Sequence, residues 1–410
     1  MLWLTGLLIP WVTASALAAL PRSRDGIARQ LALAGALATG TCVTAALIHR
    51  PATAALDRLG TVPWLPGAPA VWAIDGLSAV FALLTTWISF LVTLYSWHYL
   101  PRAQEEHGST RREAAYYALL AAFTGAMLGL VTAGQLIQLY CFWELTGVAS
   151  FLLIGFWHSE PKARSGAALG LILTSAGGLS LLVGLLLLGA FTGRWELADL
   201  LALEPASAVG ETALAVTAAL ILVGALAKSA QFPFFNWLPA AMAAPTPVSA
   251  FLHSSALVAA GVYLVARFFP VLSPAWTWQP ILIGAGVIGM VVASLLAFRQ
   301  DEIKAFLAYS TVAQYAFIFV GFGLGTQAGA QAALYAFYVH ALIKAALFLV
   351  AGAVSHVTGR SRFDELGGLA RLHPILGVLS VVSGLALGGV PVLGGFYYKE
   401  GNCSPRACLI

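Results

Sequence analysis

Charge is what this 410-residue chain has least of: 9% of its residues are Asp, Glu, Lys or Arg, against 60% hydrophobic, with a mean hydropathy of +0.86. That composition excludes an ordinary soluble domain, which needs polar side chains to cover its core. Cysteine is equally scarce. Cys42, Cys141, Cys403 and Cys408 form no CxxC and no paired spacing, so no iron–sulfur cluster, zinc site or disulfide framework is expected. Neither a GxGxxG after a strand nor a GxxxxGK[ST] occurs, and Gly321, Gly323 and Gly325 fit neither spacing. Those glycines read as positions of close helix approach or helix termination. Redox chemistry, metal binding and nucleotide hydrolysis are not expected in this chain, and no cofactor is implied. A basic stripe with interleaved aromatics, the footprint of a nucleic-acid partner, is also lacking.

Long apolar runs are abundant. They lie near residues 1–20, 29–48, 71–97, 115–133, 135–157, 166–192, 212–228, 246–268, 279–298, 304–323, 329–355 and 374–397. Each is long enough to cross a bilayer, which takes about 20 residues. In hydrocarbon the backbone must satisfy itself, so these runs predict helices and an all-α, polytopic membrane protein of about twelve spans. The first run lacks the basic region and cleavage pattern of a signal peptide and reads as a permanent helix.

Alternate loops differ in basic content. One set holds Arg22, Arg24, Arg29, Arg102, Arg111, Arg112, Lys162, Arg164, Arg299, Lys304, Arg360, Arg362 and Arg371; the other holds Arg50, Arg58, Arg194 and Arg267. By the positive-inside rule the N-terminus faces outward, with a bacterial inner membrane as the setting. The net charge of +4 follows from this loop bias.

Two apolar segments are interrupted, the pattern that marks inverted repeats in transporters. One is Lys228-Ser-Ala-Gln-Phe-Pro233, leading to Leu238-Pro239 and Pro245-Thr-Pro247; the other is Gly388-Gly-Val-Pro391 through Gly394-Gly-Phe-Tyr-Tyr-Lys399-Glu400. Residues 1–98 then read as three N-terminal spans, 115–268 as a five-helix block, and 279–400 as its inverted repeat without a fifth helix. The tail 401–410 fits neither a helix nor a conventional loop and suggests a truncated or frame-shifted end. Its Cys408 is third from the terminus, which rules out a prenylation box.

Ionisable groups inside these spans are the candidates for function, since a cation at a helix centre costs about 2.5–3.5 kcal/mol on insertion scales. Lys228, Lys344 and Lys399 are three such residues, and Glu144 lies mid-span in Trp143-Glu-Leu-Thr-Gly. Lys228, at the end of a broken helix, is the partner to test for Glu144, either as a static bridge or as a pair whose separation releases a proton. His253 follows the Pro245-Thr-Pro247 helix start beside Ser254 and Ser255, where it serves as a relay or as a satisfied core histidine. His340 and Lys344, four apart, share one helix face. Asp75 reads as a helix cap or interface residue, and Asp301, Glu302 and Lys304 as an inner-surface cluster.

Several words of this sequence resemble one family. Trp143-Glu-Leu-Thr-Gly147, Ser150-Phe-Leu-Leu-Ile-Gly-Phe-Trp157, Lys228-Ser-Ala-Gln-Phe-Pro-Phe with Trp237-Leu-Pro, Ala244-Pro-Thr-Pro-Val-Ser249, Asp301-Glu-Ile-Lys304 with Tyr309-Ser-Thr311, and His340-Ala-Leu-Ile-Lys344 look like the antiporter-like proton-conducting subunits. These include the L subunit of respiratory complex I and the A subunit of Mrp-type sodium/proton antiporters. The resemblance implies proton translocation, other membrane subunits as partners, protons and Na+ as the transported ions, and no redox site in this chain. It matches Glu144 and Lys228 to a buried pair, His253 to the following relay, Lys344 with His340 to the central lysine, and Lys399 to the terminal lysine. Ala336 and Gly177-Gly178 depart from the complex I pattern, and the glycine pair leans toward Mrp-type A subunits. The alternatives are a proton-pumping subunit of an NADH:quinone oxidoreductase or membrane hydrogenase, and an inactive structural fragment.

Overall fold

The computed structural model describes residues 2–21, 24–49, 53, 55–65, 68–106, 113–203 and 210–401. It begins with α1 (Leu2–Ala19) and α2 (Asp25–His49), followed by a hairpin of β1 (Asp57–Leu65) and β2 (Ala68–Ile74) and by α3 (Gly76–Glu106). Next come α4 (Glu113–Val131), α5 (Leu136–Ile154), α6 (Pro161–Thr192), the short α7 (Leu197–Leu201) and α8 (Glu211–Lys228). The second half contains α9 (Trp237–Ala240), α10 (Thr246–Ser254), α11 (Ala259–Leu272), α12 (Trp278–Phe298), α13 (Ile303–Gly323), α14 (Gln327–Thr358), α15 (Leu369–Leu372), α16 (Pro374–Gly388) and α17 (Gly394–Gly401).

Eleven spans among the described residues are long and apolar enough to cross a membrane, with α10 and α11 counted as one interrupted span, Thr246–Leu272. This is a polytopic all-α membrane protein. The run expected over 374–397 is divided: α16 is a shorter apolar helix, and the chain turns at Gly389 and Val392, both at positive φ, before α17. The β-hairpin was not expected from the hydrophobic pattern. Its second strand continues onto the α4–α5 connection, with Ala73 N donating to Thr132 O at 2.9 Å and Gly134 N to Val71 O at 2.7 Å. These bonds close one end of the bundle.

Small residues let the helices approach closely. A Cβ at Gly177 would lie 2.4 Å from the Ala227 Cβ, and one at Gly224 would lie 2.8 Å from the Leu181 Cβ. Side chains at these two positions would push α6 from α8, and close backbone approach is how helices associate where lipid offers no hydrophobic driving force.

Two parts of the bundle repeat each other in detail. Helices α6 and α14 are both 32 residues long, and each ends in Thr-Gly-Arg with the glycine left-handed, at Gly193 and Gly359. In both, the threonine hydroxyl bonds back into the last turn and accepts from the arginine N–H, at Thr192 and Thr358. Isolated bridges join Gln135 to Glu196 and Glu302 to Arg362.

Arg267, grouped with the outer loops on sequence, lies within α11 instead and is 3% exposed. It forms a two-pronged ion pair with Asp75 and also donates to the Ser78 hydroxyl at 2.8 Å. A charge this deep persists because all these partners receive it. Asp75 does cap α3, accepting from Ser78 N at 2.9 Å.

Candidate functional site

Helix α8 stops at Lys228 because the chain leaves helical geometry two residues later, at Ala230 with φ 52°. The exposed backbone groups of the break find side-chain partners. Trp237 Nε1 donates to Ala227 O at 3.0 Å, Gln231 Nε2 donates to Ser229 O at 2.9 Å and to Val312 O at 3.3 Å, and Ser229 Oγ donates to Val258 O at 2.6 Å. The break is therefore a built feature tied to α11 and α13, as irregular backbone at membrane depth has to be.

Lys228 is 1% exposed, and its amine donates to Trp143 O on α5 at 2.6 Å. The same amine stands 4.6 Å from the centroid of the Trp143 ring, within cation–π range. Glu144 is half-buried on the next position of α5, and the two charges interact electrostatically without forming an ion pair within 4.0 Å. Its Oε1 has no hydrogen-bond partner and lies against Gly178 of α6, where a Cβ would stand 2.1 Å from that oxygen. Glycine at 178 is what admits the carboxyl to this place.

His253 occupies the last turn of α10, and the helix is interrupted at Ser255 before α11 begins. Its ring is 6.1 Å from that of Trp237 and 6.3 Å from that of Phe348 on α14. Among the described residues, both ring nitrogens lack protein partners, as do the hydroxyls of Ser249 and Ser255 and Gln231 Oε1. The carbonyl freed at Ser254 accepts from Tyr315 Oη on α13 at 3.0 Å.

Tyr315 links the two halves. Its ring stands edge-on to His340 of α14, 5.4 Å between centroids, and both His340 nitrogens are buried without partners among the described residues. One turn further along α14, fully buried Lys344 donates to Leu307 O at 2.9 Å and to the Ser310 hydroxyl of α13. Through Trp237 and Tyr315 the structure thus connects buried Lys228, His253, His340 and Lys344 in a row across the helix breaks, with half-buried Glu144 beside Lys228. The side chain of Lys399 lies outside the described residues, as do Cys403 and Cys408.

At the end away from the hairpin, a cavity of about 410 Å³ is lined by Lys162, Pro239, Met242, Glu302, Lys304 and Ser361. Lys304, expected at the surface, is half-buried there, donates to Ala244 O at 2.8 Å and lies within electrostatic reach of His253. Asp301 and Glu302 are exposed, and Asp301 pairs with Arg362 at 3.1 Å. Sequence reasoning missed Tyr315, Ser310 and Gln231 as members of the row. Ser310 stood in the quoted word Tyr309-Ser-Thr311, but nothing in one sequence says which helix it faces.

The comparisons agree with this architecture. A family model described as NADH:quinone oxidoreductase/Mrp antiporter, transmembrane, matches residues 133–401, and one for the N-terminus of complex I chain 5 matches residues 68–111. A probable K+/H+ antiporter A/B subunit of Rhizobium meliloti is 43% identical over 83% of this chain and 33% of its own length. The Na+/H+ antiporter A1 subunit of Staphylococcus haemolyticus is 43% identical over 83% of this chain and 43% of its own. The chain therefore spans less than half the length of these relatives. Among solved structures, a chain of the Mrp complex from Dietzia sp. superposes with TM-score 0.89 at 34% identity, over 98% of this chain and 43% of that one. A chain of the membrane-bound sulfane sulfur reductase, an archaeal respiratory complex, shares the fold at TM-score 0.86 and 24% identity, over 97% of this chain and 80% of that one. With the larger family match spanning the row from Glu144 to Lys344, the chain belongs to the NADH:quinone oxidoreductase/Mrp antiporter transmembrane family.

Proposed function

We propose that this chain conducts protons as the counterpart of the A subunit in a multi-subunit, Mrp-type antiporter that exchanges protons for a monovalent cation, Na+ in the first instance. The observation that carries this reading is the row itself. Two buried lysines rest on backbone carbonyls, and two histidines between them have no protein partners at either nitrogen. Buried polar groups of this kind take water as partners, and a water-linked series of titratable groups is what proton movement requires. Neutralising Glu144 removes the counter-charge near Lys228 and favours release of its proton toward His253. The proton then passes by way of water to Lys344 and its neighbour His340, and Lys399 is a further titratable member of the same series.

The blocks 115–268 and 279–400 are read as inverted repeats, supported by the matching ends of α6 and α14. The N-terminus is placed outside a bacterial inner membrane, supported by the bias of basic residues toward the end away from the hairpin. The remaining subunits are membrane proteins of the same assembly, supported by the names of the similar proteins.

The test is Lys228→Ala in the whole assembly, measured as sodium-driven proton flux in inside-out vesicles. Flux is abolished while membrane insertion is unchanged; normal flux in the inserted variant sinks the assignment. A second reading, redox-driven pumping, is favoured by the match of residues 68–111 to a complex I chain. Loss of NADH-driven but not sodium-driven flux on deletion of the chain selects it.

A further inference from the structure

A second buried polar cluster lies toward the hairpin end of the row. Arg267 holds Asp75 and the Ser78 hydroxyl, and its Nε donates to Tyr263 Oη at 3.1 Å. Tyr263 Oη in turn donates to Val131 O at 3.0 Å, and Ser78 Oγ donates to the same carbonyl at 2.6 Å. Between this cluster and His340 stands a layer of aromatic rings. Phe81 and Phe337 are stacked at 4.5 Å with 9° between their planes, and both are 0% exposed. Tyr263 meets Phe81 edge-on at 5.4 Å, and Tyr315 meets Phe337 at 6.4 Å.

The order along the bundle is fixed by helix spacing. On α14, Phe337 lies one turn from His340 and two turns from Lys344, about 10 Å along the axis at 1.5 Å per residue. Asp75, at the N-cap of α3, and Ser78 and Phe81 within it succeed one another at three-residue intervals, and on α11 Tyr263 and Arg267 are four apart. Contacts between these helices therefore set the order: His340 and Lys344 on α14, the Phe81–Phe337 pair between α3 and α14, then Asp75, Ser78, Tyr263 and Arg267 toward the hairpin.

We propose that the Phe81–Phe337 stack is the dry barrier between the His340–Lys344 end of the row and the Asp75–Ser78–Tyr263–Arg267 cluster, and that protons leave toward the hairpin end by crossing it. The inference rests on the proton-conducting reading above. An apolar constriction gates by excluding water, and proton transfer needs a continuous chain of hydroxyls and waters. When the two rings part, water bridges His340 to the Tyr263 hydroxyl. A proton that His340 has taken from Lys344 passes to that water, and the water chain delivers one onward, leaving Tyr263 and Arg267 in their original protonation states. With the rings stacked, the row and the cluster are insulated from each other and ions do not leak through.

The test is decay of an imposed pH gradient in proteoliposomes of the whole assembly, without a transported cation. Phe337→Ala and Phe81→Ala raise this leak severalfold, whereas Phe337→Leu, which keeps the layer apolar and filled, stays near the parent rate. Should the alanine variants fail to assemble, Phe337→Tyr keeps the ring, adds a hydroxyl to the layer and raises the leak in the same direction. Parent-level leak in the assembled Ala or Tyr variants, with sodium-driven flux intact, overturns the barrier. Failure of the underlying reading shows separately, as normal sodium-driven flux in Lys228→Ala.

Discussion

Lys228 and Lys344 both set their amines on a backbone carbonyl of a neighbouring helix, Trp143 O for the first and Leu307 O for the second. Each carbonyl also receives a hydroxyl from its own helix, from Thr146 at 2.7 Å and from Thr311 at 2.9 Å. The surroundings then diverge. At the first site the Glu144 carboxyl lies against Gly178; at the second the Ser310 hydroxyl accepts from Lys344. Ser310 follows Glu144, and Lys344 follows Gly178, at the interval that separates Gly193 from Gly359. One packing position between two helices thus carries an acid and a glycine in one half, and a hydroxyl and a lysine in the other. The first site has an internal counter-charge that protonation can switch off. Among the described residues, the second holds its amine with neutral oxygens alone.

That contrast can be broken in stages. The largest effect is expected at the buried ion pair that ties α11 to the start of α3: Arg267→Ala leaves Asp75 buried and unpaired, which costs about 3–5 kcal/mol and lowers the thermal unfolding temperature and the yield of assembled protein. The pair also carries a pH signature. Burial alone would raise the Asp75 carboxyl, but the Arg267 hydrogen bonds and charge, with the Ser78 N–H, outweigh it and hold the group below its ordinary 3.8. A depressed folded-state value means that the contribution is full above 3.8 and is lost as pH falls through the folded value. Detergent-solubilised Asp75→Asn protein should therefore lose less stability on acidification below pH 4 than the parent, as followed by thermal melts.

Within the row, Glu144→Gln removes the carboxyl that distinguishes the first site. Sodium-driven proton flux is expected to fall about a hundredfold, the lower range for losing a positioned proton-transfer group, with insertion unchanged. Gly178→Ala acts more mildly on the same side chain: the new methyl displaces the Glu144 carboxyl and reduces flux severalfold without touching Lys228. Ser310→Ala removes one neutral acceptor from Lys344 while Leu307 O remains, so flux should change by less than about tenfold, in keeping with roughly 0.5–1.5 kcal/mol for one hydrogen bond. A larger loss at Ser310 than at Glu144 would reverse the comparison.

Much of this was legible in the sequence, for one physical reason: in hydrocarbon a charged residue is rare enough to identify itself. Glu144, Lys228, His253, His340 and Lys344 stood out among apolar neighbours, and in the structure the lysines and histidines are buried and Glu144 half-buried. The spans were legible because the bilayer sets their length. Partners were not. Lys228 donates to a carbonyl and faces an aromatic ring, features that every residue or every tryptophan offers, so sequence pointed only to its electrostatic neighbour Glu144. Tyr315 and Ser310 are residue types that ordinary packing also uses, and only the contact between α13 and α14 reveals their place. Arg267 was assigned to a loop because charge usually marks a span's end; its partner Asp75 is remote in sequence, and no local pattern connects them.

The central claim is that two lysine sites act in series on one path. Sodium and proton fluxes recorded together in proteoliposomes of the whole assembly test it most directly, comparing the parent with Lys344→Ala. The account predicts that the assembled variant loses both fluxes, as Lys228→Ala does. Parent-level proton flux in Lys344→Ala, with Lys228→Ala still inactive, would contradict a path that runs through both sites.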